Sequence, residues 1–218
     1  MTQIKICGIT NRDDARVAID AGADMLGFVL YPPSPRYREP AAVQEVIEQV
    51  KGQGGRLPLF VGVFVNESVE NMIRIAGQCG LGAIQLHGAE SNDQAQALRR
   101  EGLRVFKAFQ MRNAAAINDF DRFNVDGYVC DTPDPRLWGG TGQTFDHTLL
   151  AGASRRRRVI LAGGLNAGNV AQALRIVQPW GVDVSSGVEA APGKKDAEKI
   201  RAFVAAVKGA GAGPAGTV

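Results

Sequence analysis

Short runs of β-branched and other apolar residues recur along the chain, separated by longer stretches whose apolar positions return every three or four residues. The short runs are IKICGI from Ile4, MLGFVL from Met25, LFVGVFV from Leu59, AIQLHG from Ala83, RVFKAF from Arg104, GYVCD from Gly127, RVILAG from Arg158 and GVDVSS from Gly181. Several are apolar at nearly every position, the pattern of strands buried on both faces of a parallel sheet. The intervening stretches predict helices over residues 12–21, 41–51, 68–78, 91–100, 167–177 and 194–208, with shorter connections over 114–120 and 146–150.

A strand followed by a helix, eight times over, is an α/β fold with a parallel eight-stranded core. Eight such units within 218 residues predict a single (βα)8 TIM barrel over residues 1–208 rather than an open doubly wound sheet. The last ten residues, GAGAGPAGTV, are small and Gly-rich and are expected to form a flexible tail over 209–218. A net charge of +3 is too small to argue for a nucleic-acid or membrane partner. The four arginines at 155–158 form the densest basic run and are expected to be a solvated connection before a strand. Three cysteines without a CxxC pair argue against a disulfide framework or a zinc site. The opening MTQIKICGIT has no signal-peptide core, and the expected compartment is the reducing cytoplasm.

In this architecture the chemistry sits where strands end and the following loops begin. Cys7 closes the first strand. Alternation places it with Lys5 on the inner side, where a neighbouring ammonium favours thiolate, although a buried structural cysteine has the same sequence appearance. Arg36 follows a stiff Pro-rich loop after strand two and suits bidentate capture of a carboxylate; an ordinary surface arginine is the alternative. Asp131 ends strand six, with its neighbour Cys130 expected to pack outward. It is a candidate general acid if burial keeps it protonated, or else a cap of the DTPDP turn. Gly163 and Gly164 after strand seven, and Ser185 and Ser186 after strand eight, stand where this fold usually binds phosphate through backbone N–H groups. The glycine loop GGTGQTF at 139–145 is a candidate lid, and His87 after strand four reads as more structural than chemical.

Taken together, KICGIT, GFVLYPPSPR, VGVFVN, QLHG, the strand-six aspartate, GGTGQTFD, LAGGLN and DVSSGVE with PGKKD behind it resemble the phosphoribosylanthranilate isomerase family. The resemblance runs in order from about Lys5 to Lys195. It implies a cofactor-free and metal-free isomerase of tryptophan biosynthesis, acting on a phosphorylated aminoaldose by an Amadori rearrangement. It assigns Cys7 as general base and Asp131 as general acid. Arg36 is then expected on the substrate carboxylate, and Gly163, Gly164, Ser185 and Ser186 on its phosphate. The protein is expected to work as a monomer or a homodimer. After GGTGQTFD the family usually carries Trp, where this chain has His147. A related barrel isomerase serving both histidine and tryptophan synthesis uses two aspartates, and Cys7 on strand one argues against that type.

Overall fold

The computed structural model describes residues 1–52, 55–132, 146–150, 152–155 and 157–211. Eight parallel strands close into a barrel in chain order. They are β1 (Gln3–Cys7), β2 (Met25–Val29), β3 (Leu59–Phe64), β4 (Ala83–Leu86), β5 (Arg104–Gln110), β6 (Gly127–Asp131), β7 (Val159–Leu161) and β8 (Gly181–Val184). The ring is sealed where β1 pairs with β8, setting Lys5 opposite Asp183. Each expected strand run is therefore a strand of one barrel.

Among the described residues six α-helices wrap the outside: α1 (Arg12–Ala21), α2 (Pro40–Lys51), α3 (Val69–Cys79), α4 (Asn92–Arg100), α5 (Val170–Val177) and α6 (Ala197–Gly211). Local chemistry fixes their starts. Asn11 Oδ1 accepts the Asp14 N–H, Ser68 Oγ accepts that of Asn71, and Ser91 with Gln94 forms a reciprocal capping box on α4. The two connections expected to be short are 3-10 turns at Ala114–Arg122 and His147–Leu150, with a third at Ala153–Arg155. No helix among the described residues is long and apolar enough to cross a membrane.

The last helix differs from expectation at both ends. Lys194 and Lys195 form β10, paired antiparallel with β9 (Glu189–Ala191), so the helix starts only at Ala197. Asp196 Oδ1 caps it, accepting the N–H groups of Glu198 and Lys199. It then continues to Gly211, into the stretch expected as tail, because Ala206 and Ala210 still pack on the core. Within the basic run, Arg157 pairs with Asp121 and lies over Phe120 and Tyr128, and Arg158 covers the Trp180 ring. The two guanidinium groups lie over aromatic rings, with Arg157 half-buried and Arg158 exposed to solvent as expected.

Strand alternation divides the apolar side chains into two layers. Met25, Val61, Ala83, Phe106, Val129 and Ile160 fill the barrel, while a larger cluster joins the outer strand faces to the helices. In β6, Val129 belongs to the inner layer and Cys130 to the outer one, which leaves Asp131 to reach the mouth. Gly27 on β2 has a steric reason: a Cβ there would stand 2.7 Å from Cys7 Sγ and 3.2 Å from Lys5 Cε. The missing side chain is the space that those two occupy. Gly27→Ala is expected to cost about 1–3 kcal/mol of stability by overpacking, measured as a lowered urea midpoint at unchanged slope.

Candidate active site

At the C-terminal end of the barrel lies a cavity of about 100 Å³. Cys7, Arg36, Asp131, Gly163, Gly164, Ser185 and Ser186, which come from five different strand ends, all line it. Sequence reasoning had each of them at a strand end, and the closed ring brings them face to face.

Below Cys7, Lys5 Nζ lies 2.6 Å from Asp183 Oδ2, with Lys5 fully buried and Asp183 nearly so. Burial alone would lower the lysine pKa. Asp183 and Cys7 beside it outweigh that effect and hold the ammonium above its ordinary value. The same burial pushes the Cys7 thiol above its ordinary 9.0, against the opposing pull of Lys5 and Lys195 and with Asp183 adding to the rise. The pull of Lys5 toward thiolate is thus present, and burial opposes it. The charge of Lys5 is largely answered by Asp183, so burial decides the direction of the shift.

Arg36 is held differently from a lone loop arginine. Its Nε and Nη2 donate to Glu189 Oε1 and Oε2 at 2.8 and 2.7 Å, a side-on fork. Glu189 also accepts from Lys195 Nζ at 2.9 Å. Burial would raise the Glu189 pKa, but Arg36 and Lys195 together bring it below its ordinary value. The carboxylate thus fixes the guanidinium plane. The fork uses Nε and Nη2, and Arg36 also lines the cavity. Glu189 was visible in DVSSGVE, but only the β9–β10 hairpin reveals its partner.

Asp131 Oδ1 accepts the N–H of Thr132 at 2.8 Å, and its Oδ2 lies 3.5 Å from His87 Nε2. The other ring nitrogen of His87 meets Gln85 Nε2 at 2.8 Å. With Gln85 donating there, the His87 proton sits on Nε2 and faces Asp131. His87 thus lines the cavity beside the aspartate, a more intimate place than its sequence reading suggested. His147 is half-buried beside Asn169, Gln172 and Ile176 and is not among the lining residues.

The two glycines after β7 have φ of 85° and 64°, in the left-handed region that favours glycine. A Cβ on Gly163 would collide with Thr132, and one on Gly187 with the Leu165 carbonyl. The loops after β7 and β8 therefore pack against each other without side chains between them. The candidate lid at 139–145 lies outside the described residues, as does most of the DTPDP turn.

The sequence model of the family described as N-(5'phosphoribosyl)anthranilate (PRA) isomerase matches residues 4–206. The chain belongs to this family. The N-(5'-phosphoribosyl)anthranilate isomerase of Pelobacter propionicus is 46% identical, over 95% of this chain and 96% of its own. Among solved structures, the phosphoribosyl anthranilate isomerase of Thermotoga maritima superposes with a TM-score of 0.86 at 39% identity, covering 96% of this chain and all of that one (100%). Another phosphoribosyl anthranilate isomerase, solved in complex with reduced 1-(o-carboxyphenylamino)-1-deoxyribulose 5-phosphate, has a TM-score of 0.83 at 37% identity, with coverage of 96% and 100%. Members of the family are isomerases of the aldose–ketose type, and this chain carries the family's barrel along its matched length.

The resting state of Cys7 can be read chemically. In the free protein, alkylation of Cys7 by iodoacetamide, followed by peptide mass spectrometry, is expected to be slow at pH 7 and to rise only above pH 9.0. Cys79 and Cys130 are likewise raised by burial and serve as internal references. A midpoint for Cys7 below that value would mean that Lys5 outweighs burial after all.

Proposed function

We propose that this chain converts N-(5-phosphoribosyl)anthranilate into 1-(2-carboxyphenylamino)-1-deoxyribulose 5-phosphate, an Amadori rearrangement of tryptophan biosynthesis, by general acid–base catalysis without a cofactor. The observation that carries this reading is the meeting of Cys7 and Asp131 in one cavity that Arg36 and both phosphate-type loops also line.

The substrate carries an anion at each end, and the cavity has a matching group for each. Arg36 takes the anthranilate carboxylate. The loop backbone at Gly163 and Gly164, with the hydroxyls of Ser185 and Ser186, takes the phosphate. The pentose then lies between Cys7 and Asp131. Asp131 delivers a proton to the furanose oxygen, and the ring opens to a protonated Schiff base conjugated with the aromatic amine. That cation acidifies the C2′–H bond, and Cys7 as thiolate removes the proton. The resulting enolamine tautomerises to the ketone. The iminium is the electron sink, so the chemistry asks for no other.

Cys7 must lose a proton before it can act as base, and Asp131 must hold one. The demands are opposite, and displacement of one proton from the thiol to the carboxylate satisfies both. The Lys5 and Lys195 ammonium groups favour the thiolate once it forms, since both lower the thiol pKa. His87 lies beside Asp131 on the β4 side, with Nε2 at 3.5 Å from Oδ2. We place the protein in the cytoplasm, as a monomer or a homodimer, with this phosphorylated aminoaldose as its small-molecule partner.

The test is turnover of freshly prepared substrate by purified protein in the presence of a chelator, followed by loss of anthranilate fluorescence and identification of the ribulose product. Cys7→Ala and Asp131→Asn are each expected to lower kcat by about 10²- to 10⁴-fold, with circular dichroism and unfolding midpoint close to those of the parent. Near-parental turnover in either folded variant would remove that residue from its role.

A further inference from the structure

The barrel floor carries two acceptors with nothing to accept. Asp183 uses Oδ2 for Lys5, and its Oδ1 is buried with no hydrogen-bond partner among the described residues. Gln85 uses Nε2 for His87, and its Oε1 is likewise buried and unpartnered. Both side chains are more than nine-tenths buried, and both line the cavity that holds Cys7 and Asp131. Neither residue has a part in the acid–base steps above. A buried acceptor without a donor is destabilising, so such atoms persist where a ligand supplies the donor.

The geometry and charge narrow the kind of donor. Gln85 is on β4 and Asp183 on β8, four strands apart in either direction round the closed ring of eight. The two side chains therefore approach the barrel axis from opposite sides, and a ligand lying across the axis meets both. The Asp183 charge is balanced by Lys5 at 2.6 Å, and the amide of Gln85 is neutral. The pair thus offers two acceptors without net charge, which suits neutral hydroxyls rather than a cation. Val63 and Ala162 supply apolar wall beside them.

We propose that Asp183 Oδ1 and Gln85 Oε1 are hydroxyl-recognition groups for the ring-opened sugar, accepting its C3′ hydroxyl, already present in the substrate, and its C4′ hydroxyl, formed when the furanose oxygen takes its proton. This rests on the function proposed above and adds substrate selectivity to it: the floor distinguishes a phosphorylated pentose bearing both hydroxyls from its deoxy counterparts. The hydrogen bond from Gln85 Nε2 to His87 turns the amide so that its oxygen is the free atom.

The experiment is a set of binding titrations with reduced 1-(o-carboxyphenylamino)-1-deoxyribulose 5-phosphate and its 3-deoxy and 4-deoxy analogues, by calorimetry. The proteins are the parent chain, Gln85→Met, Gln85→Glu and Asp183→Asn. For the parent protein each missing hydroxyl is expected to weaken binding by roughly tenfold. Gln85→Met is expected to bind the full ligand roughly tenfold more weakly and to lose discrimination at one of the two positions. Gln85→Glu, which keeps an acceptor, is expected to retain it. Asp183→Asn should lose discrimination at the other position; if it fails to fold because Lys5 is left unpaired, the Gln85 pair still decides. Full discrimination at both positions in Gln85→Met, or equal affinities of the parent chain for all three ligands, overturns the proposal. If the parent chain does not bind the full ligand at all, the proposed function itself fails, and the two failures are thereby told apart.

Discussion

The ion pair between Lys5 and Asp183 lies at the seam where the first strand meets the last. A barrel must close there to have an interior, and here the closing register puts an ammonium and a carboxylate side by side below the mouth. Neither charge is tolerable in that place alone. Removing one partner of such a buried pair typically costs about 3–5 kcal/mol, because the survivor is left desolvated. The pair is thus a condition of closure as well as a feature of the site. It also sets the field around Cys7, since the ammonium answers mainly to the carboxylate and only secondarily to the sulfur.

The arrangement above this pair follows from strand ends. Each strand delivers one inward side chain at the mouth, and the loop that follows delivers backbone. Charge on the substrate-facing rim is correspondingly restrained. Arg36 and Lys195 share a single carboxylate, Glu189, and the β9–β10 hairpin exists to bring that carboxylate back across the mouth. The loops after β7 and β8 approach each other closely at Gly187, and the Asn169 side chain and Lys195 hold the carbonyls of Gly164 and Ser185.

Much of this was legible from the chain alone. Eight apolar runs became eight strands because burial on both faces leaves a continuous apolar signature that no connecting loop shares. Cys7, Arg36 and Asp131 stood out because polar residues at the ends of such runs have few structural uses. What could not be read was pairwise and long-range. Glu189 lies far along the chain from Arg36, and nothing near either residue announces the fork. The alignment of His87 with Asp131 depends on the offset between β4 and β6. The balance of forces on Cys7 could not be read either: adjacency to Lys5 is visible in sequence, whereas desolvation and the competing carboxylate across the seam are properties of the closed ring. The end of α6 moved for a similar reason: small residues read as tail, yet Ala210 has a core to pack on.

The burial of Cys7 has one more consequence. Peroxide and other oxidants attack sulfur as thiolate, and exposure sets how often they meet it. A sulfur enclosed by the barrel mouth, with its thiol pKa pushed up by burial, is a poor target on both counts. If Cys7 has the role proposed above, the residue whose reactivity the chemistry needs is therefore shielded from sulfenic acid formation in the free protein.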